Sequence, residues 1–380
     1  MTTQNRPRAH DLGIALPGTP GVNNAITDVA GVEVGYRTIV RGDGVMQVGE
    51  GPVRTGVTVV LPRGREGVGT SVPAGWFSLN GNGEMTGTNW VEESGSLSLP
   101  IGITNTHAVG DVHRAIIDWS ARVCPSLQQQ WLLPVVGETW DGYLNDIFGR
   151  HVTSEVALEA LDDAGSGPIA EGSVGGGTGM NCYGFKGGTG TSSRVVEIAG
   201  REYTVGVLTQ ANFGARKELT IVGHRVGPVL LDDNPFEEGS WLAPPGAGSC
   251  ITIVATDAPL LPGQCKALAR RVSLGLARTG TSGSHFSGDL FLAFSTANAG
   301  VLDSSFEDLI DPRPPASLEF VRWGAIDPIY EAVVEATEEA VLNVLVAGEE
   351  TVGRDGNRIP GFPVERLERL GVLGRSDARA

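Results

Sequence analysis

The run Pro244-Pro-Gly-Ala-Gly-Ser-Cys-Ile-Thr-Ile-Val-Ala-Thr-Asp-Ala-Pro259 is a glycine-rich stretch that ends on a hydroxyl and passes into β-branched residues. Its chemistry is concentrated in the pair Gly248-Ser249. A serine hydroxyl is a weak nucleophile until a base takes its proton. If the chain breaks between Gly248 and Ser249, the freed α-amine lies in the same residue and can be that base. Its ordinary pKa of about 7.7 to 8.0 suits work near neutral pH. A polar loop entering a strand fits the local pattern as well, because Gly and Ser are common turn residues. Cys250 comes next, and cleavage one bond later would expose an N-terminal thiol, intrinsically the stronger nucleophile.

Other candidates are spread along the chain. Ser287 and Asp289 stand at i and i+2 where a strand is expected to open, so their side chains share one face. A hydroxyl beside a carboxylate can orient a terminal amine or hold a substrate ammonium group. Asn212 follows the apolar stretch Val205–Gln210 in what reads as a Gly-flanked turn, where its amide can donate to a developing oxyanion. Tyr143, within Glu138-Thr-Trp-Asp-Gly-Tyr-Leu-Asn-Asp146, is a second polar contact. The six histidines make no HExxH spacing and the four cysteines no CxxC spacing, so neither a metal nor a cofactor is expected. The glycines of 175–190 complete neither the P-loop nor the dinucleotide-binding pattern.

These residues need elements to carry them. Val57–Leu61 and Leu132–Val136 read as buried strands, with a helix over His107–Val123 between them. Residues 165–193 read as a backbone-rich loop region. Arg194–Ile198 and Glu202–Gln210 form a hairpin through Ala199-Gly200-Arg201, and 232–248 is an exposed connection. Cys250–Thr256 is a strand, Pro262–Arg278 a helix, Asp289–Phe294 a strand, and Asp327 with Pro328 caps a last long helix ended by Gly348. Strands and helices mix throughout, which places the chain in the α/β (α+β) class.

Composition narrows the partners. A net charge of −16 over 380 residues, with no basic stripe, argues against nucleic acid and anionic membranes. No window approaches 18 uninterrupted apolar residues, and Met1–Pro20 is polar, so a cytoplasmic protein with reduced thiols is expected.

Taken together, the segments resemble the L-aminopeptidase/D-esterase (DmpA-like) family, which includes the β-aminopeptidases. The likeness rests on Asn24-Ala-Ile-Thr-Asp-Val-Ala-Gly-Val-Glu-Val-Gly35, Gly137–Asp146, Gly175–Gly190, Gly206-Val-Leu-Thr-Gln-Ala-Asn-Phe-Gly214, Ala255-Thr-Asp-Ala-Pro-Leu260 and Ser287-Gly-Asp-Leu-Phe-Leu292. It implies one αββα four-layer domain over 1–380, similar to N-terminal-nucleophile hydrolases but differently connected. Self-cleavage would divide the chain into 1–248 and 249–380. The resemblance assigns Ser249 as nucleophile with its own amine as base, Asn212 as oxyanion donor and Tyr143 as a further contact. Ser287 and Asp289 would orient the amine and the substrate. The implied substrates are short peptides, amides or esters with a free amine, and the implied assembly is a homotetramer. Asp289 stands where the family commonly has glutamate, and Cys250 where it usually has an aliphatic residue. An acetyltransferase of the ornithine type also self-cleaves, but through threonine. An uncleaved scaffold cradling a ligand on 175–190 is the non-enzymatic alternative.

Overall fold

A computed structural model describes residues 7–236 and 246–373. Within them, two β-sheets stack face to face. The first comprises β1 (Glu33–Arg41), β2 (Val53–Leu61), β5 (Ile101–Asn105) and β6 (Val135–Thr139), in that order. The second runs β4 (Ser96–Leu97), β3 (Val72–Ser78), β10 (Ser287–Ser295), β9 (Gly246–Thr256), β8 (Arg201–Gly214) and β7 (Gly188–Ile198). Each sheet contains one parallel pair, β5/β6 and β9/β10. A parallel pair needs a crossover; after the short α1 (Thr88–Ser94), the helices α2 (Val109–Val123) and α4 (Pro262–Arg278) lie in those two connections.

Side-chain alternation builds the layers. Along β9, Ile251, Ile253 and Ala255 point between the sheets to meet Ile101, Ile103, Leu290 and Leu292. Cys250 and Val254 point the other way, into a cluster with Leu268 and Val272 of α4 and Val333 and Val341 of α5 (Asp327–Ala347). The first sheet is covered by α2 and α3 (Ser154–Asp162), whose Val112, Ile116, Trp119, Ala157 and Leu161 pack on Val57 and Val59. Three apolar clusters between four layers give the αββα order, as the resemblance implied.

Several boundaries differ from the sequence reading. The hairpin forms through Ala199 and Gly200, both at positive φ (52° and 76°), as a two-residue turn of the mirror-image type requires. Its first strand begins at Gly188, not Arg194. Thr191 and Ser192 are buried there and donate to the Val207 and Ala336 carbonyls, so hydroxyls replace the apolar alternation that marks most strands. The strand expected at Leu132–Val136 lies at Val135–Thr139, running on into polar residues. Ile326 is the N-cap of α5, and Asp327 and Pro328 fall in its first turn. Of the expected connection 232–248, residues 237–245 lie outside the described residues, and Gly246–Gly248 already belong to β9.

Where α4 crosses α5, a Cβ on Gly275 would stand 2.5 Å from Thr337 Cβ and 2.8 Å from the Val334 carbonyl oxygen. Alanine would gain about 1 kcal/mol of helix propensity. Overpacking a tight core contact costs about 1–3 kcal/mol. The steric term wins, so Gly275→Ala is expected to lower the urea midpoint at an unchanged m-value.

Candidate active site

The pairing of β8 with β9 sets the site. Its register aligns Ala211 with Cys250 and Asn212 with Ser249, and then shifts so that Gly214 faces Gly246. Ala247 and Gly248 thus oppose the single residue Phe213, a β-bulge, the device that re-aims side chains beside active sites. A Cβ on Gly248 would lie 1.7 Å from the Asn212 carbonyl oxygen, so the bulge closes only around glycine. Ser249 is buried, and its Oγ donates to the Gly248 carbonyl oxygen at 2.7 Å. The hydroxyl therefore lies against the peptide bond it would have to attack.

Asn212 is held at both ends of its amide. Its Oδ1 accepts from the Asn181 N–H at 2.9 Å and from Asn181 Nδ2 at 3.2 Å. Its Nδ2 donates to the Trp140 carbonyl at 3.0 Å. A backbone N–H can only donate and a carbonyl can only accept, so this network fixes which way the amide faces. One N–H of Nδ2 goes to Trp140, and the second has no partner among the described residues. The turn expected at Asn212 is not there: the residue sits inside β8, directly across from Ser249. Asn181, which sequence reasoning passed over, comes from the end of the glycine-rich segment, whose Gly175–Gly179 form a buried 3₁₀ turn.

Ser287 and Asp289 share a face, as expected, and Ser287 Oγ donates to Asp289 Oδ1 at 2.7 Å. Asn80 Nδ2 donates to Asp289 Oδ2 at 2.7 Å, and Asn80 Oδ1 accepts from the Asp289 N–H at 2.6 Å. Burial pushes the Asp289 carboxyl above its ordinary range, opposed by the bonds from Ser287 and Asn80. Both carboxylate oxygens are thus engaged. Ser287 is in register with Gly248, and Asp289 with Cys250. Cys250 points into the helix-side core, and burial drives its thiol up to about 12. A protonated, enclosed thiol does not compete as a nucleophile.

A cavity of about 370 Å³ opens beside Ser249, lined by Asn82, Thr106, Glu138, Trp140, Asn181 and Asn212 together with Ala247, Gly248 and Phe286. Its carboxylate is Glu138, near the end of β6. Thr106 Oγ1 donates to Glu138 Oε2, and the Glu84 N–H donates to Oε1 at 3.0 Å. Burial raises the Glu138 carboxyl above its usual range, and those two bonds act in the opposite direction. Glu138 was overlooked because the strand was read as ending at Val136; once β6 runs to Thr139, the residue falls at its functional end. Tyr143 is not among the residues lining this cavity. Its ring packs edge-on against Phe236 at 4.7 Å, beside Leu144 and Ile359.

These positions predict thiol reactivity. In the native protein, iodoacetamide at pH 8 is expected to label half-buried Cys124 and to leave Cys182, Cys250 and Cys265 unmodified until urea is added. Peptide mass mapping reads the result.

A four-layer sandwich with a buried serine near the start of a central strand is similar to the N-terminal-nucleophile hydrolases, and solved structures agree. The chain superposes with a TM-score of 0.88 on the L-aminopeptidase D-Ala-esterase/amidase of Ochrobactrum anthropi, described as a prototype for the serine aminopeptidases and a new variant among the Ntn hydrolase fold. The two are 44% identical over 97% of this chain and all of that one. A β-aminopeptidase from Burkholderia sp. superposes at 0.86 with 44% identity, over 97% of this chain and 99% of that one. The β-peptidyl aminopeptidase BapA of Sphingosinicella microcystinivorans is 51% identical over 372 residues, 96% of this chain and 91% of that protein. The model of peptidase family S58 matches residues 24–359, and the chain belongs to that family.

Proposed function

We propose that the chain cuts itself between Gly248 and Ser249 and then works as an N-terminal-serine aminopeptidase on short peptides, amides or esters with a free amine. The observation that carries this reading is the Ser249 hydroxyl, bonded to the Gly248 carbonyl and directly opposite the Asn212 amide. In self-cleavage, Oγ attacks the Gly248 carbonyl carbon through a five-membered ring. The Oγ–H proton passes to the nitrogen as the C–N bond breaks, which leaves the new α-amine, and the resulting ester on Ser249 is opened by water. The products are chains 1–248 and 249–380.

In turnover, the α-amine takes the Ser249 proton as Oγ attacks the substrate carbonyl, and Asn212 Nδ2 donates to the oxyanion. The protonated amine then gives its proton to the leaving amine. Water repeats the sequence on the acyl-enzyme. Ser287, in register with Gly248, and Asp289 behind it orient the α-amine. Glu138 receives the substrate ammonium, since it lines the cavity beside Ser249 and Asp289 does not. Tyr143 is kept as the further polar contact that the family resemblance assigns. Acyl groups of β-amino acids and of small α-amino acids are the proposed substrates, in line with the names of the relatives.

We also place the enzyme in the cytoplasm as a homotetramer. Its four free thiols suit a reducing compartment, and no helix among the described residues is long and apolar enough to cross a membrane. Exposed Phe306, Leu309, Ile310 and Trp323 offer apolar surface for association.

Intact mass and N-terminal sequencing test the cut. Wild type is expected as two fragments, the second beginning at Ser249, and Ser249→Ala as one full-length chain without amidase activity. A second fragment beginning at Cys250, or normal cleavage of the alanine variant, would refute the assignment.

Protonating Glu138 removes the charge that holds the ammonium, so KM for an amino-acid amide is expected to rise as pH falls through its raised pKa. Glu138→Gln should raise KM about 10- to 100-fold, the equivalent of about 1.5–3 kcal/mol for a charged hydrogen bond, and should flatten that acid limb. A pH series of KM for both proteins is the measurement.

A further inference from the structure

Asn212 can place an oxyanion only if the two backbone groups that grip its amide stay put, and each belongs to a loop pinned by a buried ionisable side chain. On one side is Lys186, fully buried, whose Nζ donates to the carbonyls of Gly187 at 2.7 Å, Met180 at 2.9 Å and Gly177 at 3.4 Å. Met180 precedes Asn181, and Lys186 is itself paired with Asn181 across a two-residue ladder. The ammonium therefore ties the 3₁₀ turn to the residue whose N–H holds Asn212 Oδ1.

On the other side is Asp141, also fully buried and directly after Trp140. Thr55 Oγ1 donates to its Oδ2 at 2.5 Å, and Asn145 Nδ2 to its Oδ1 at 3.0 Å. Its own carbonyl accepts from the Leu144 and Asn145 N–H groups, closing the turn that follows Trp140. Thr55 accepts in turn from Asn105 Nδ2 at 2.9 Å, which joins the turn to the end of β5. The carboxylate thereby fixes the Trp140 carbonyl that holds Asn212 Nδ2.

Burying an ionisable group among neutral partners is costly, and a hydrophobic residue of like volume would fill either place at lower cost. Burial brings both groups to about 7, the lysine down and the carboxyl up. Such an arrangement at both anchors of one amide calls for a role beyond packing. We propose that Lys186 and Asp141 are positioning residues for Asn212, holding its amide from opposite sides in the orientation that receives the oxyanion. This rests on the oxyanion role proposed above.

The test is a set of double-mutant cycles on the full-length chain, with self-cleavage rate and amidase kcat and KM as readouts and circular dichroism and Tm as controls for folding. Asn212→Ala alone reports on the underlying reading and should slow self-cleavage about 10²- to 10³-fold, as loss of an oxyanion donor does. Lys186→Met and Asp141→Asn should each slow self-cleavage and lower kcat at least about 10-fold in folded protein, with KM within about 3-fold of wild type. Either change added to Asn212→Ala should cost little more, because residues that act through one group are not additive. Thr55→Val, which removes the donor to Asp141 from outside the turn, gives the same answer if Asp141→Asn does not fold. Folded Lys186→Met and Asp141→Asn proteins with wild-type rates, or losses that multiply with that of Asn212→Ala, would overturn the positioning role. An unaffected Asn212→Ala enzyme would overturn the oxyanion reading and the positioning role with it.

Discussion

The register between β8 and β9 is the constraint on which the rest depends. Side chains alternate along a strand, so a slip of one residue would turn Ser249 into the helix-side core and bring Cys250 to the cavity. What prevents the slip lies farther along the strand. Ile251, Ile253 and Ala255 are buried between the sheets, and a one-residue shift would move all of them off that apolar interface. The cost of exposing or mispacking three such residues runs to several kcal/mol at about 25 cal/mol per Å². The catalytic geometry is therefore a by-product of core packing, and the bulge at Ala247-Gly248 is the single local departure from it.

Three buried carboxyls surround the site, and their surroundings separate their tasks. Desolvation raises all three, Glu138, Asp141 and Asp289, and hydrogen-bond donors oppose it in each. Asp289 has Ser287 and Asn80 as donors and lies out of the cavity lining, so it is suited to orienting a neighbour. Glu138 opens on the cavity, so an incoming cation can neutralise it. Asp141, fully buried and outside the cavity lining, suits the positioning role proposed for it through backbone.

Much of this was legible in the sequence where side-chain pattern and chemistry coincide. The β-branched run after Ser249, the helix Pro262–Arg278 and the Ala199-Gly200 turn all lie where their residues put them. Gly188–Ser193 was not legible as strand because its faces are filled by Gly, Thr and Ser bonded to neighbouring backbone, which erases the hydrophobic alternation. Glu138 escaped notice for the related reason that β6 ends in polar residues. Asn80 and Asn181 carry no local signal at all: each matters only because a distant strand end arrives beside it. Tyr143, singled out by its neighbours in sequence, lies outside the cavity lining with its ring packed against Phe236.

The same bulge explains why the proposed cut would do more than create a base. Ala247 and Gly248 are part of the cavity wall in the intact chain, on the side where a substrate's acyl group would sit if the Gly248 carbonyl is the first that Ser249 attacks, as proposed. A substrate with a free amine and the chain's own Ala247-Gly248 end therefore compete for one space. Breaking the bond would release that end from its covalent tie, leaving it held among the described residues by strand pairing, with Gly246 against Gly214 and Gly248 beside Ser287, its N–H on the Phe286 carbonyl. The proposed cut would thus supply the α-amine, free the acyl subsite and leave Asn212, already positioned by the uncut fold, facing the same carbonyl geometry in the second reaction as in the first.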